Sequence, residues 1–193
     1  MFGEQVSRVI KSNNGKFPVG TAVLSRAGWI SHYVSKGEGL SPILLDLGDT
    51  SLSYCIGALG MPGATAFFGL DLMQPKKGEV LLVNGAAGAV GSLVGQLGKI
   101  KGMKVIGFVG TDEKLEWVKN ELGFDYVFNY KKCDFTKAIS ECAPEGVDCF
   151  FDNVGGEWYH TVVNKHLRKY GRASLCGSIQ NYNDKEVKLC KIF

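Results

Sequence analysis

Ala86, Gly88 and Gly91 fall at the three positions of a G-x-G-x-x-G pattern, with Ala in the first, inside EVLLVNGAAGAVGSLVGQLGKI at residues 79–100. Small residues at this spacing, placed where a strand turns into a helix, build a cradle for a pyrophosphate. Gly88 lets a phosphate approach the backbone with no Cβ in the way, and Gly91 lets helix and strand pack closely. The first N–H groups of the helix add the positive end of its dipole. A nucleotide-hydrolysing phosphate loop needs Lys and Ser or Thr after its last Gly, whereas Gly91 is followed by Ser92 and Leu93, so ATP or GTP hydrolysis is not supported. The Tyr-x-x-x-Lys pattern of short-chain dehydrogenases is absent at all seven tyrosines.

The end of the next strand selects between dinucleotides. Enzymes using NAD place Asp or Glu there, about 20 residues beyond the glycines, to accept from the ribose 2′-hydroxyl. This chain reads FVGTDEK, with Gly110 and Thr111 where the acid belongs and Lys114 just beyond. A charge-assisted contact to a 2′-phosphate contributes about 1.5–3 kcal/mol, roughly a 10- to 100-fold preference, so NADP is the expected cofactor. Two other readings stay open: Lys114 as a solvated helix lysine, and Asp112 turned inward toward a ribose.

These residues meet only if strands and helices alternate around them. EVLLVN, KVIGFVG, DYVFNY, VDCFFDNVGG and RASLCGS read as buried strands. Between them, Val90, Leu93, Val94, Leu97 and Ile100 stripe one helix, and Leu115, Val118 and Leu122 stripe another that Thr111 can cap. Helices are also expected over residues 135–142 and 158–167. Such alternation implies right-handed crossovers and a parallel sheet covered on both faces, a doubly wound α/β fold. A complete sheet of this class has six strands; five are legible, which suggests a fragment of a longer protein. The first third reads instead as antiparallel β over residues 5–11, 21–25 and 29–34. Pro62 then opens a helix with Ala66, Phe67, Leu70 and Met73 on one face. Trp29, Phe67 and Phe68 are expected in the core.

The totals exclude several classes. Of 193 residues 45% are apolar and 21% charged, which suits a folded globular protein. The net charge of +3 comes from 22 basic and 19 acidic residues without a dense basic run, so nucleic acid is not an expected partner. No apolar run reaches the roughly 18 residues of a membrane span, and residues 1–14 lack the apolar core of a signal peptide, so a cytoplasmic protein with no membrane partner is expected. The six cysteines include no C-x-x-C pair, and are expected to be reduced thiols without metal. His32, His160 and His166 have no metal or triad spacing.

FPVGTAVLSRAGWISHYVS, GALGMPGATAFFGL, VNGAAGAVGSLVGQLGKIKGMKVIGFVGTDEK, LGFDYVFNY, DCFFDNVGGE and CGSIQNYN, in that order, resemble the zinc-independent medium-chain reductases of the prostaglandin reductase and leukotriene hydroxydehydrogenase family, also called alkenal/one oxidoreductases. The resemblance covers nearly the whole chain. It implies a partial GroES-like β-barrel domain over residues 1–60 and an NADP-binding Rossmann domain over 61–193 lacking its last strand. It further implies NADPH-dependent reduction of the C=C bond of α,β-unsaturated aldehydes and ketones, without metal. Carried onto this sequence, the pyrophosphate turn is Gly88, Ala89, Val90 and Gly91, and Lys114 meets the 2′-phosphate. Tyr130 lies by the adenosine phosphate end and Asn153 faces the cofactor. Cys176, Gly177, Ser178, Ile179, Gln180, Asn181 and Tyr182 run along the nicotinamide. Tyr182 is the candidate donor to the substrate oxygen, with a purely cofactor-contacting or structural role as its alternative. The family's Asp-Pro-Tyr motif near the substrate is absent. A homodimer through the Rossmann domain is implied as well. Two other functions stay open, an inactive cofactor-binding truncation and a crystallin- or quinone-reductase-like relative.

Overall fold

The computed structural model describes residues 3–184; Cys190 and the rest of 185–193 lie outside them. The chain divides into two compact units, Met1–Pro62 and Gly63–Phe193.

The first unit is built on three antiparallel strands, β1 (Gln5–Arg8), β2 (Ala22–Ser25) and β3 (Ser41–Pro42), in the order β1-β2-β3. β1 and β2 pair from Gln5 opposite Ser25 to Arg8 opposite Ala22, which turns Val23 and Ser25 inward. The strand expected over residues 29–34 does not form. Both edges of β2 are taken, by β1 and by Ser41–Pro42, and Gly28 leads into the stretch at φ 91°. Trp29, expected in the core, is 82% exposed.

α1 (Met61–Asp71) begins at the boundary between the units. Ala66, Leu70 and Met73 are buried as expected, and Gly69 brings the helix so near the sheet that a Cβ there would lie 2.7 Å from the Phe151 ring. Phe67 and Phe68 depart from expectation. They sit off this narrow small-residue stripe, are exposed, and pack edge to face on each other at 5.3 Å.

Beyond α1 the chain alternates: β4 (Val80–Val83), α2 (Ala89–Ile100), β5 (Lys104–Val109), α3 (Asp112–Asn120), β6 (Tyr126–Asn129), α4 (Phe135–Cys142), β7 (Val147–Asp152), α5 (Glu157–Thr161) and β8 (Leu167–Leu175). The five strands form one parallel sheet in the order β6-β5-β4-β7-β8, the α/β doubly wound arrangement the sequence predicts. Period two sorts the strands between two cores. Leu81, Val83 and Val105 pack toward α2 and α3, while Leu82, Ile106 and Phe108 pack toward α4 and α5. The helix expected over 158–167 forms over 157–166, but only Glu157–Thr161 is α-helical. It widens into a π-turn at Val162–His166, closed by the Leu167 N–H donating to the Val162 carbonyl, so residue 167 already begins β8.

Winding reverses at β4, because the chain runs outward to β6 on one side and returns to β7 on the other. Sheets of this kind bind ligands at that switch point, outside the carboxyl ends of the strands.

Candidate functional site

A cleft of about 710 Å³ opens at this switch point. Gly85 and Gly88 line it after β4, Gly110, Thr111 and Lys114 after β5, Tyr130 and Lys131 after β6, and Trp158, Ile179 and Gln180 on the far side. Glycine is required at two positions of the corner, Gly85 and Gly91. Gly85 has φ 59°, which L side chains rarely adopt. Gly88, in extended conformation, is the N-cap of α2, whose Ser92 N–H donates to its carbonyl at 3.0 Å. A Cβ at Gly91 would stand 2.4 Å from the Gly85 carbonyl oxygen.

The close approach of α2 continues beyond Gly91, one and two turns along. A Cβ at Gly95 would stand 1.8 Å from the Phe124 ring, and one at Gly98 would stand 2.6 Å from the Leu81 side chain. Ala89 and Val90 form the first turn of α2. The corner therefore presents backbone N–H groups and no side-chain bulk, which fits a pyrophosphate.

At the end of β5 the Thr111 hydroxyl caps α3 by accepting from the Lys114 N–H at 3.3 Å. The Lys114 and Lys131 side chains have no ion-pair partner among the described residues. Asp112 does not turn inward. Its Oδ1 accepts from Asn129 Nδ2 at 2.7 Å and its Oδ2 pairs with the Lys132 ammonium, contacts that hold its carboxyl below the usual carboxylate range, Lys132 most and then Asn129. Tyr130 leans over Gly110, whose Cβ would meet the phenol oxygen at 3.3 Å. It lies edge-on to Trp158 at 6.2 Å, and Trp158 stacks on Phe135 at 4.1 Å.

The opposite wall is tied together by Asp152, which is fully buried at the end of β7. Its Oδ1 accepts from Asn84 Nδ2 at 2.6 Å and from the Val154 and Gly155 N–H groups, each at 2.9 Å. Its backbone carbonyl accepts from the Cys176 and Gly177 N–H groups at 2.8 and 3.2 Å. Asn153 is held by Asn84, with N–H to Oδ1 at 2.7 Å and Nδ2 to the Asn84 carbonyl at 2.9 Å. Burial, and then Asp152, push the Cys176 thiol up. Ser178, Ile179, Gln180 and Asn181 make a single tight turn, with Gln180 N–H on the Val154 carbonyl and Asn181 N–H on that of Ser178. The Tyr182 hydroxyl accepts from the Ser178 N–H at 3.3 Å.

The cleft thus brings together Gly88, Lys114, Tyr130, Ile179 and Gln180. Asn153, Cys176, Gly177, Ser178, Asn181 and Tyr182 stand behind or beside that lining. Trp158, Phe135, Lys131, Asn84 and Asp152 were not anticipated. Asn84 and Asp152 did carry a signal, each being a polar residue ending an apolar strand. Trp158 carried none, since its neighbour Phe135 comes from a helix 23 positions earlier, Trp158 being residue 158 and Phe135 residue 135.

No group of three or more His, Cys, Asp or Glu among the described residues is arranged to hold a metal ion. No helix among them is long and apolar enough to cross a membrane.

Residues 89–193 match the family described as zinc-binding dehydrogenase, and residues 1–43 match the N-terminal domain of oxidoreductase. The chain belongs to the zinc-binding dehydrogenase family. It is 50% identical over 186 residues to prostaglandin reductase 1 of Bos taurus, a match covering 95% of this chain and 56% of that protein. To the NADPH-dependent curcumin reductase of Escherichia coli strain K12 it is 40% identical over 190 residues, 97% of this chain and 54% of that protein. The crystal structure of CurA in complex with NADPH from Vibrio vulnificus matches with a TM-score of 0.87 at 40% identity, covering 100% of this chain and 56% of that one. The chain therefore spans little more than half the length of the relatives it matches.

Proposed function

We propose that the chain is the cofactor-binding part of an NADP-dependent oxidoreductase that reduces the C=C bond of α,β-unsaturated aldehydes and ketones. One observation carries the cofactor half of this reading: a glycine-walled cleft at the switch point, where Lys114 after β5 and Lys131 after β6 line the wall and Asp112 is turned away onto Asn129 and Lys132. In it, Gly88, Ala89, Val90 and Gly91 hold the pyrophosphate, the last three through backbone N–H groups, the Gly88 N–H being spent on the Gly85 carbonyl at 2.9 Å. Lys114 pairs with the 2′-phosphate, Tyr130 covers the adenosine side, and Asn153 with residues 176–182 borders the nicotinamide. Residues 1–62 are, in this reading, part of the catalytic domain.

When bound, NADPH supplies a hydride. The chain's own residues must then hold the carbonyl oxygen of the substrate and direct a proton. Tyr182 suits this work, because the Ser178 N–H occupies an acceptor site of its hydroxyl and leaves the O–H free to donate. The relatives named as prostaglandin and curcumin reductases support an enone substrate.

Calorimetric titration of the chain with NADPH and NADH tests the reading. NADPH should bind at least about tenfold more tightly, and Lys114→Ala should remove about that factor for NADPH while leaving NADH unchanged. Equal affinities in the unsubstituted chain would refute it. Oxidation of NADPH by the full-length protein with an enone tests the chemistry.

A further inference from the structure

The end of β5 contains an acid that an NADP site must keep out of play. Asp112 follows Gly110 and Thr111 directly and is the first residue of α3, close to where an NAD site carries its ribose-binding carboxylate. Left free, its charge would oppose a 2′-phosphate and weaken the field of Lys114 and Lys131. Two residues of β6 and its turn prevent this. Asn129, only 7% exposed, donates to Asp112 Oδ1 at 2.7 Å and accepts from the Lys131 N–H through its own Oδ1 at 3.1 Å. Lys132 pairs with Asp112 Oδ2. Of the three lysines at this corner, one is thus spent on the acid, while the two that line the cleft remain unpaired among the described residues.

We propose that Lys132 and Asn129 are positioning residues for cofactor choice: they neutralise Asp112 and hold its carboxylate away from the cleft, so that at the β5–β6 corner Lys114 and Lys131 set the charge met by a 2′-phosphate, with Glu157 lining the cleft from α5. This rests on the NADP reading above. A purely structural staple between α3 and β6 would use the same contacts, so the test must read cofactor preference rather than stability. Lys132 is the residue to change, since it is exposed and an Asn129 substitution would also disturb Lys131.

The experiment is a cycle of Lys132→Met, Asp112→Asn and the double variant, each titrated calorimetrically with NADPH, NADH and 2′,5′-ADP. Lys132→Met should weaken NADPH and 2′,5′-ADP about three- to fivefold, the scale of one partly screened charge, and leave NADH unchanged or slightly tighter. In the Asp112→Asn background the same substitution should change nothing. Equal losses in both backgrounds would mean that Lys132 meets the phosphate directly, and would overturn the proposal, as would wild-type affinities in Lys132→Met. If the unsubstituted chain does not prefer NADPH over NADH, the cofactor reading falls and this inference with it. Preference for NADPH with a silent cycle defeats only the inference.

Discussion

At Gly91, Gly95 and Gly98 there is no space for a methyl group, whereas across the cleft residues 176–182 hang from single backbone hydrogen bonds in a largely exposed turn. One wall is fixed by packing, which does not yield by fractions of an ångström; the other is fixed by directional bonds that reform after small shifts. Under the proposed function, a cofactor cradle that must hold one geometry suits the first, and a wall bordering the nicotinamide suits the second.

The contrast breaks hardest at Gly95. Gly95→Ala should destabilise the second unit by about 3 kcal/mol, because the Phe124 ring is buried and cannot retreat; Phe124→Leu in the same chain should restore part of it, both read by thermal melting. Gly91→Ala collides with a backbone carbonyl rather than a side chain. It should cost more than about tenfold in NADPH affinity, since the turn itself must move.

β8, which carries the softer wall, is anchored within its length by Arg172. Arg172 grips Glu79 with two bonds, at 2.6 and 3.0 Å, and donates to the Met73 and Gln74 carbonyls at 2.8 and 3.1 Å. The Arg172 guanidinium holds the Glu79 carboxyl below its ordinary value of 4.5. A lowered folded-state pKa contributes stability that is complete above the unfolded value and fades as pH falls through the folded one. Arg172→Met should therefore cost about 2 kcal/mol near neutrality and flatten the decline in melting temperature below pH 4.5. A variant that keeps the wild-type decline would remove Glu79 as its source.

The smallest expected change is at Tyr182. Tyr182→Phe removes one acceptor for an exposed N–H, so stability should move by less than about 0.5 kcal/mol. In the full-length protein a donor role predicts a fall in kcat of more than about tenfold with unchanged NADPH affinity. Unchanged kcat would leave Tyr182 as part of the turn.

The alternation of the second unit was legible because its strands and helices carry unbroken periods, and α4 was anticipated to the residue. The strand expected over 29–34 failed because alternation alone does not supply a partner. Phe67 and Phe68 were misassigned because helix α1 approaches the sheet through Gly69, and a hydrophobicity pattern registers large residues rather than missing ones. Within the site, the Gly88 and Lys114 positions followed from spacing. The clamp on Asp112 and the bonds of Asn84 to Asp152 and Asn153 join residues 17 to 69 positions apart, and no local pattern announces such pairs.

Asp152 receives bonds from the ends of three separate strands through one carboxylate oxygen and one carbonyl. In hydrogen-exchange terms, the Val154, Gly155, Cys176 and Gly177 amides share a single lock. They should exchange with deuterium as one cooperative group, at a rate set by a common opening rather than by four independent loop fluctuations.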